Sequence, residues 1–250
     1  MAVIMLSAEH LYKVYLEKIS IARWRKRTII TDFSYDFLSE TRYGLIGLSG
    51  SGKTSLANIL AGFDRPDAGR VLYAGHDVKQ SQIRVRNVFQ DTYRFLNPVN
   101  TVIWYEKTVS RISPDPGLVD RILDMVGLPV EKYGDIYIDQ LSGGQRQRLA
   151  FSIVASQIPE VVILDEPFSM IDPANTLVLF SIIKKYLEKS TVIYIDHNLD
   201  RIAYLCDQVI AFDHGAVVEE GNVMSVFGDP KTEYVRRMID AAGKLSSQLR

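Results

Sequence analysis

The stretch Gly47-Leu48-Ser49-Gly50-Ser51-Gly52-Lys53-Thr54 constrains this chain more than any other. It fits G-x-x-x-x-G-K-[ST], follows the apolar run Tyr43–Ile46 and opens a helix-period segment, Lys53–Gly62. That strand–loop–helix context is the one a phosphate-binding loop requires. Glycines 47, 50 and 52 let the backbone curl until successive N–H groups face inward as an anion nest. The start of the helix adds unpaired N–H groups and the positive end of its dipole. Lys53 supplies a mobile charge for the β- and γ-phosphates, and the Thr54 hydroxyl a ligand for Mg²⁺. With Ser55 behind them, these residues imply binding of a nucleoside triphosphate.

Short apolar runs alternate with helical patterns along the rest of the chain, which predicts a parallel α/β sheet. Tyr43–Gly47, Val161–Leu164, Val192–Ile195 and Val209–Phe212 read as buried strands, and Gly144–Ser156, Ala174–Lys189 and Leu199–Cys206 as helices. Leu6–Phe37, rich in β-branched and aromatic residues with period-2 stretches, reads as antiparallel strands beside that sheet. Asp91–Ile158 has little strand character. Within it Leu118, Val119, Ile122, Leu123 and Val126 fall on one helical face after Pro116-Gly117. Asp229-Pro230 predicts an N-cap and first-turn proline for a helix over Lys231–Ala242.

A second acidic motif sits at a strand end. Val161-Val162-Ile163-Leu164-Asp165-Glu166 is an apolar strand closing on two carboxylates, and parallel sheets bind ligands beyond the carboxyl ends of their strands. Asp165 fits a Mg²⁺ role through its water shell, and Glu166 the base that polarises an attacking water.

Composition removes several classes. With 29 basic and 30 acidic residues the formal net charge is −1, whereas phosphate neutralisation on nucleic acid calls for a basic excess. One cysteine, Cys206, makes neither an internal disulfide nor a metal cluster and reads as a small buried hydrophobe. No run approaches the ~20 apolar residues of a membrane span. Met1–Leu6 is too short for a secretory h-region, and Gly243–Arg250 reads as a loosely held tail. His10, His76 and His214 have no partner motif.

Leu141-Ser142-Gly143-Gly144-Gln145 lies just before a helical run, where Ser142 can cap the helix and the glycines leave its first N–H groups open to a phosphate. With this string the chain resembles the ATP-binding subunits of ABC transporters, from Leu11 to about Ala242. The resemblance implies a P-loop NTPase (RecA-like) parallel sheet core with an antiparallel β subdomain and an inserted α-helical subdomain. The expected division is 1–90 and 159–228 for the nucleotide-binding lobe, 91–158 for the helical part and 229–250 for a C-terminal helix and tail, all within one domain over 1–250. It implies that the signature faces ATP held by a second subunit's loop. Gln90 occupies the Q-loop position that ligates Mg²⁺, Asp172 matches the D-loop, His197 the switch histidine, and Trp24 the aromatic residue stacked on adenine, with Tyr12 and Tyr15 as less well spaced alternatives. Two departures stand out. The acid Asp196 precedes His197 where relatives mostly have an acid after it, and Met170-Ile171 replaces the usual Ala-Leu before Asp172.

The segment Leu96-Asn97-Pro98 after Gln90, and Val226-Phe227-Gly228-Asp229-Pro230 with Tyr234 near the end, resemble the oligopeptide, dipeptide and nickel importers. That resemblance implies the shorter of two paired ATPases, without an iron–sulfur cluster, peripheral on the cytoplasmic face of the cell membrane. Its implied partners are two integral membrane permease subunits, a second ATP-binding subunit and an extracytoplasmic substrate-binding protein, with no nucleic acid. Its cofactors are ATP and Mg²⁺. An exporter motor and a soluble ABC ATPase in a non-transport assembly are the alternatives.

Overall fold

The computed structural model describes residues 3–20, 23–77, 85–88 and 91–243. The elements begin with β1 (Ile4–Lys18), β2 (Trp24–Leu38), β3 (Arg42–Ile46), α1 (Lys53–Leu60), β4 (Ala68–Tyr73), β5 (His76–Asp77) and β6 (Val85–Val88). A helical stretch follows: α2 (Val102–Ser110), α3 (Leu118–Met125), α4 (Val130–Tyr133) and α5 (Gly143–Ala155). Then come β7 (Val161–Asp165), α6 (Pro173–Tyr186), β8 (Thr191–Ile195) and α7 (Leu199–Leu205). The chain closes with β9 (Gln208–Asp213), β10 (Ala216–Asn222), α8 (Val223–Gly228) and α9 (Glu233–Ala241). Two compact units result, Met1–Arg84 with Thr191–Arg250, and Val85–Ser190. β6, β7 and α6 fall in the second unit with the helical stretch.

In the first unit β3 lies between β8 and β9 and runs parallel to both, from Arg42↔Val192 to Leu45↔Ile195 on one side and Tyr43↔Gln208 to Ile46↔Ala211 on the other. Every residue of β8 is buried, which is why this strand reads as an unbroken apolar run. β10 returns antiparallel along β9. The start of β3 is locked to β9 by the Arg42 guanidinium, whose Nε and Nη2 donate to Asp207 at 3.0 and 2.9 Å. Such a planar fork matches a carboxylate better than a point charge does.

The second sheet of this unit has the order β2-β1-β4-β5, with antiparallel pairing throughout. Leu6, Ala8 and Leu11 on β1 and Ile30, Phe33 and Phe37 on β2 turn inward. Phe33 meets Phe212 edge-on at 5.7 Å, and Phe37 meets Tyr43 the same way at 5.1 Å. A register shift between Ala8 and Leu11 carries His10 into the left-handed region (φ 49°). The same bend brings the His10 carbonyl so close to Gly69 that a Cβ there would lie 2.2 Å from it.

In the second unit β6 and β7 pair in parallel, from Val85↔Val161 to Val88↔Leu164. The predicted apolar face of α3 is buried: Leu118, Val119, Ile122, Leu123 and Val126 are all in the core. Among the described residues no helix is long and apolar enough to cross a membrane.

One helix start was misplaced by the sequence. The N-cap of α9 is Thr232, whose hydroxyl accepts from Val235 N–H, rather than Asp229. The cause is tertiary. Glu219 on β10 accepts from the N–H groups of Lys231 and Thr232 at 2.8 and 2.9 Å and from the Thr232 hydroxyl at 2.5 Å. Burial alone would raise this carboxyl's pKa, but the three hydrogen bonds prevail and hold it below the ordinary glutamate value. A depressed folded pKa stabilises above the unfolded value of about 4.3 and loses that stabilisation as pH falls through the folded value. Urea unfolding at pH 7 should therefore show Glu219→Gln less stable than wild type, with the gap shrinking below about pH 4; a gap independent of pH contradicts the anchor.

Candidate functional site

The phosphate loop is built where β3 ends and α1 begins. Gly47 packs against strand β9: a Cβ there would lie 2.2 Å from the Phe212 carbonyl oxygen and 2.9 Å from Ser51 Oγ. Gly52, at φ 105°, caps α1 and would place a Cβ 2.8 Å from the Ile29 oxygen. Only glycine fits either place. Ser51 N–H donates back to Leu48 O at 3.2 Å, closing the loop. Lys53 is buried, and its ammonium donates to the carbonyls of Gly47 at 2.8 Å and Leu48 at 3.0 Å. Thr54 is exposed at the head of α1 and Ser55 half-buried. The first N–H groups of a helix have no intrahelical acceptor, so this terminus, with a lysine above it, is a cradle for a phosphate chain.

His197 and its unusual neighbour also lie in the first unit. The Asp196 carboxylate is turned inward, 2 % exposed, and accepts from the Tyr194 hydroxyl, from Asn198 N–H at 2.9 Å and from Arg201 at 3.3 Å. Burial, with the Asp196 charge beside it, pushes the Tyr194 phenol up. The His197 side chain is 72 % exposed, its Nδ1 3.6 Å from the Asp196 carboxylate. The acid that precedes the histidine is thus engaged by Arg201 and backbone.

Trp24 is not brought to the loop. β1 and β2 pair without a shift from Val14↔Thr28 to Lys18↔Trp24, so Trp24 and Arg27, three residues apart, occupy opposite faces. The Arg27 guanidinium is the side chain beside Gly50, 3.6 Å from where a Cβ would stand. Trp24 instead sits under the Lys18 ammonium at 5.8 Å. Tyr15, paired with Arg27, shares its face, and its hydroxyl donates to Asp64 at 2.5 Å beside Ser55.

The second unit carries the remaining motifs. Asp165 is buried at the end of β7, and Glu166 follows in the left-handed region at φ 44°. A glutamate adopts that backbone only at a cost, and such strain clusters at functional sites. Ser142 caps α5 as its sequence suggests: its hydroxyl accepts from Gln145 N–H at 3.2 Å, and the Gln145 side chain accepts from Ser142 N–H at 2.8 Å. Leu141 anchors the turn in the core. Asp172 caps α6 through Asn175, and those hydrogen bonds lower its pKa.

Sequence reasoning missed Gln147, one turn further along α5. Fully buried, its amide donates to Ser169 Oγ at 3.0 Å and accepts from Met170 N–H at 3.0 Å, stapling the segment before Asp172 to the signature helix. A Cβ on Gly143 would lie 2.5 Å from Met170 Sδ, and one on Gly144 2.7 Å from the Met170 carbonyl. The larger methionine is therefore seated directly on both glycines. Only the tertiary contact distinguishes Gln147 from the polar residues around it.

Gln90 lies outside the described residues. Among those described, no cluster of three or more His, Cys, Asp or Glu could hold a metal. A Mg²⁺ site needs fewer: one or two carboxylates beside substrate phosphates suffice. A depression of about 600 Å³ lies among Ser7, Glu9, His10, Tyr35, Asp36 and Glu220 and contains none of these motif residues.

Comparison with known proteins identifies the family. Residues 30–169 match the family model described as "ABC transporter". The oligopeptide transport ATP-binding protein OppF of Lactococcus lactis subsp. lactis is 30 % identical over 217 residues, covering 79 % of this chain and 67 % of that one. The methionine import ATP-binding protein MetN of Mannheimia succiniciproducens is 30 % identical over 237 residues, 90 % of this chain and 68 % of that one. In three dimensions the ATP-binding cassette MJ0796, in a dimeric post-hydrolysis state bound to ADP and Pi, superposes with a TM-score of 0.75 at 21 % identity, covering 88 % of this chain and 99 % of that one.

Replacing Gln147 by alanine should strand the Met170 N–H and cost about 1–3 kcal/mol of stability, the scale of an unsatisfied buried donor. Urea denaturation measures it, and a loss no larger than that of an exposed α6 position such as Lys185→Ala would refute the staple.

Proposed function

The chain belongs to the ABC transporter family, and from that premise we propose that it is the ATP-hydrolysing motor subunit of an importer. The observation that carries this reading is the loop over residues 47–54, closed by Lys53 and hemmed by glycines that admit no side chain. ATP takes its β- and γ-phosphates on the N–H groups at the head of α1 and on Lys53. Tyr15, on the face that also carries Arg27, is our choice for the adenine ring in place of Trp24. Asp165, through water, with Thr54 and Gln90, would hold Mg²⁺, which supplies charge neutralisation along the phosphate chain. Glu166 takes a proton from the attacking water as its oxygen bonds to the γ-phosphorus and the bond to the β–γ bridging oxygen breaks. His197, exposed, meets the γ-phosphate.

Leu141–Gln145 would complete the site of a second ATP-binding subunit, with Ser142 and the N–H groups of α5 directed at its triphosphate, and Asp172 crossing between subunits. Binding energy that differs between closed and open pairs then drives the cycle. The expected assembly places two such subunits under two membrane permeases, served by an external binding protein, at the cytoplasmic face of the membrane. Supporting a peptide- or nickel-type cargo is the Leu96-Asn97-Pro98 segment, an ordered turn with Leu96 in the core and Asn97 N–H held by the Tyr105 hydroxyl at 2.5 Å. OppF is named for oligopeptides, while relatives of equal identity are named for methionine and for sulfate, so the cargo class rests on that segment.

Glu166→Gln should bind ATP yet hydrolyse it at least a hundredfold more slowly, the scale of lost general-base catalysis; phosphate release at near wild-type rate would remove Glu166 from the role. Lys53→Ala should lose ATP binding in a calorimetric titration, and wild-type affinity would refute the cradle. A pull-down from native membranes should recover two multi-span proteins and a second ATPase. Recovery of soluble partners alone would retire the transport reading and leave the ATPase chemistry standing.

A further inference from the structure

We propose that Tyr234 is a positioning residue for the phosphate loop, clamping the Gly47–Leu48 peptide so that its carbonyl is held toward Lys53. The inference rests on the reading of residues 47–54 as the cradle for ATP.

The Tyr234 hydroxyl accepts from Leu48 N–H at 2.9 Å and donates to the Phe212 carbonyl at 3.2 Å. Both capacities of one hydroxyl are thus used. The carbonyl of Gly47 and the N–H of Leu48 belong to the same planar trans peptide and point in opposite directions. Lys53 holds the carbonyl end at 2.8 Å, and Tyr234 holds the N–H end. A cation on a peptide oxygen polarises the N–H across the plane, so the two bonds reinforce one another. The Leu48 side chain is 60 % exposed and contributes no buried anchor. What fixes this plane from the far side is the phenol.

The clamp has a rigid base. Phe212 O, the acceptor of Tyr234, is the same atom that leaves no room for a Cβ on Gly47. At the other end, α9 is pinned by Glu219 through Lys231 and Thr232, and Val235, next to Tyr234, is fully buried. One continuous path of contacts therefore leads from β10 through the head of α9 to the turn above β3. Burial raises the Tyr234 pKa, Leu48 N–H lowers it, and the neighbouring Asp213 carboxylate, by its charge and as a further acceptor, raises it again, so the hydroxyl stays protonated and able to donate at neutral pH.

Tyr234→Phe keeps the ring and removes both bonds. In the full-length chain the KM for ATP should rise about three- to tenfold, the scale of one lost hydrogen bond, with kcat within about twofold of wild type. A residue that only stabilised the fold would lower the active fraction, hence apparent kcat, without moving KM. Hydrogen exchange of the Leu48 amide, followed without nucleotide, should accelerate at least tenfold. Glu219→Gln keeps the phenol but loosens its helix, and should shift KM in the same direction by a smaller factor. Unchanged KM and unchanged Leu48 exchange in Tyr234→Phe, with wild type binding ATP normally, overturn the clamp alone. Failure of wild type itself to bind ATP overturns the cradle and the clamp together.

Discussion

The approach of Gly47 to the Phe212 carbonyl is the constraint on which the nucleotide-binding unit depends. Parallel pairing of β3 with β9 brings the ends of the two strands side by side, and the turn that leaves β3 must pass against β9 without a side chain. That tight passage sets where the loop begins. Gly52, wedged against the Ile29 backbone, sets where it ends. Between these fixed points the Lys53 ammonium gathers the carbonyls of Gly47 and Leu48, so the helix head and the positive charge face one small volume. Loop, lysine and helix terminus act together because two backbone contacts leave them few other arrangements.

The second unit holds the turn Leu141–Gln145 by contacts on both of its sides. A capping box at Ser142 and Gln145 satisfies the helix start locally, and Gln147 ties the next turn to Ser169 and Met170. Met170 in turn lies over Gly143 and Gly144. The signature and the segment leading to Asp172 are thus joined by two hydrogen bonds and by direct packing. Substitution of the usual small residue by methionine adds contact at that junction and removes no hydrogen bond. Glu166, just past β7, accepts a strained backbone in the same neighbourhood of the chain.

Much of the site was legible because its chemistry is local. A glycine at each tight turn, a lysine at a helix head, a serine three residues before a glutamine, and two acids ending an apolar strand are all short-range patterns with one physical purpose each. The buried face of α3 was equally visible, since its spacing is that of a helix. Tyr15 and Trp24 show what such reading leaves open. Spacing from the loop favoured Trp24, yet the face on which a strand residue lies depends on register, and register is set by the partner strand. The start of α9 failed for a related reason: Asp229-Pro230 has the local form of a helix start, but Glu219, ten residues earlier, holds the N–H groups of Lys231 and Thr232 and moves the cap to Thr232.

The sequence by itself determined the phosphate loop, the acidic strand end, the capped signature helix and the alternation that makes a parallel sheet, because each is a pattern of neighbours along the chain. Tertiary structure alone decided that Asp196 turns inward onto Arg201 and away from solvent, that Gln147 joins two motifs, and that Tyr234 reaches Leu48 across 186 positions of sequence. Those are contacts between residues whose separation along the chain carries no periodic signal. They exist only once strand register and helix docking have fixed which side chains meet.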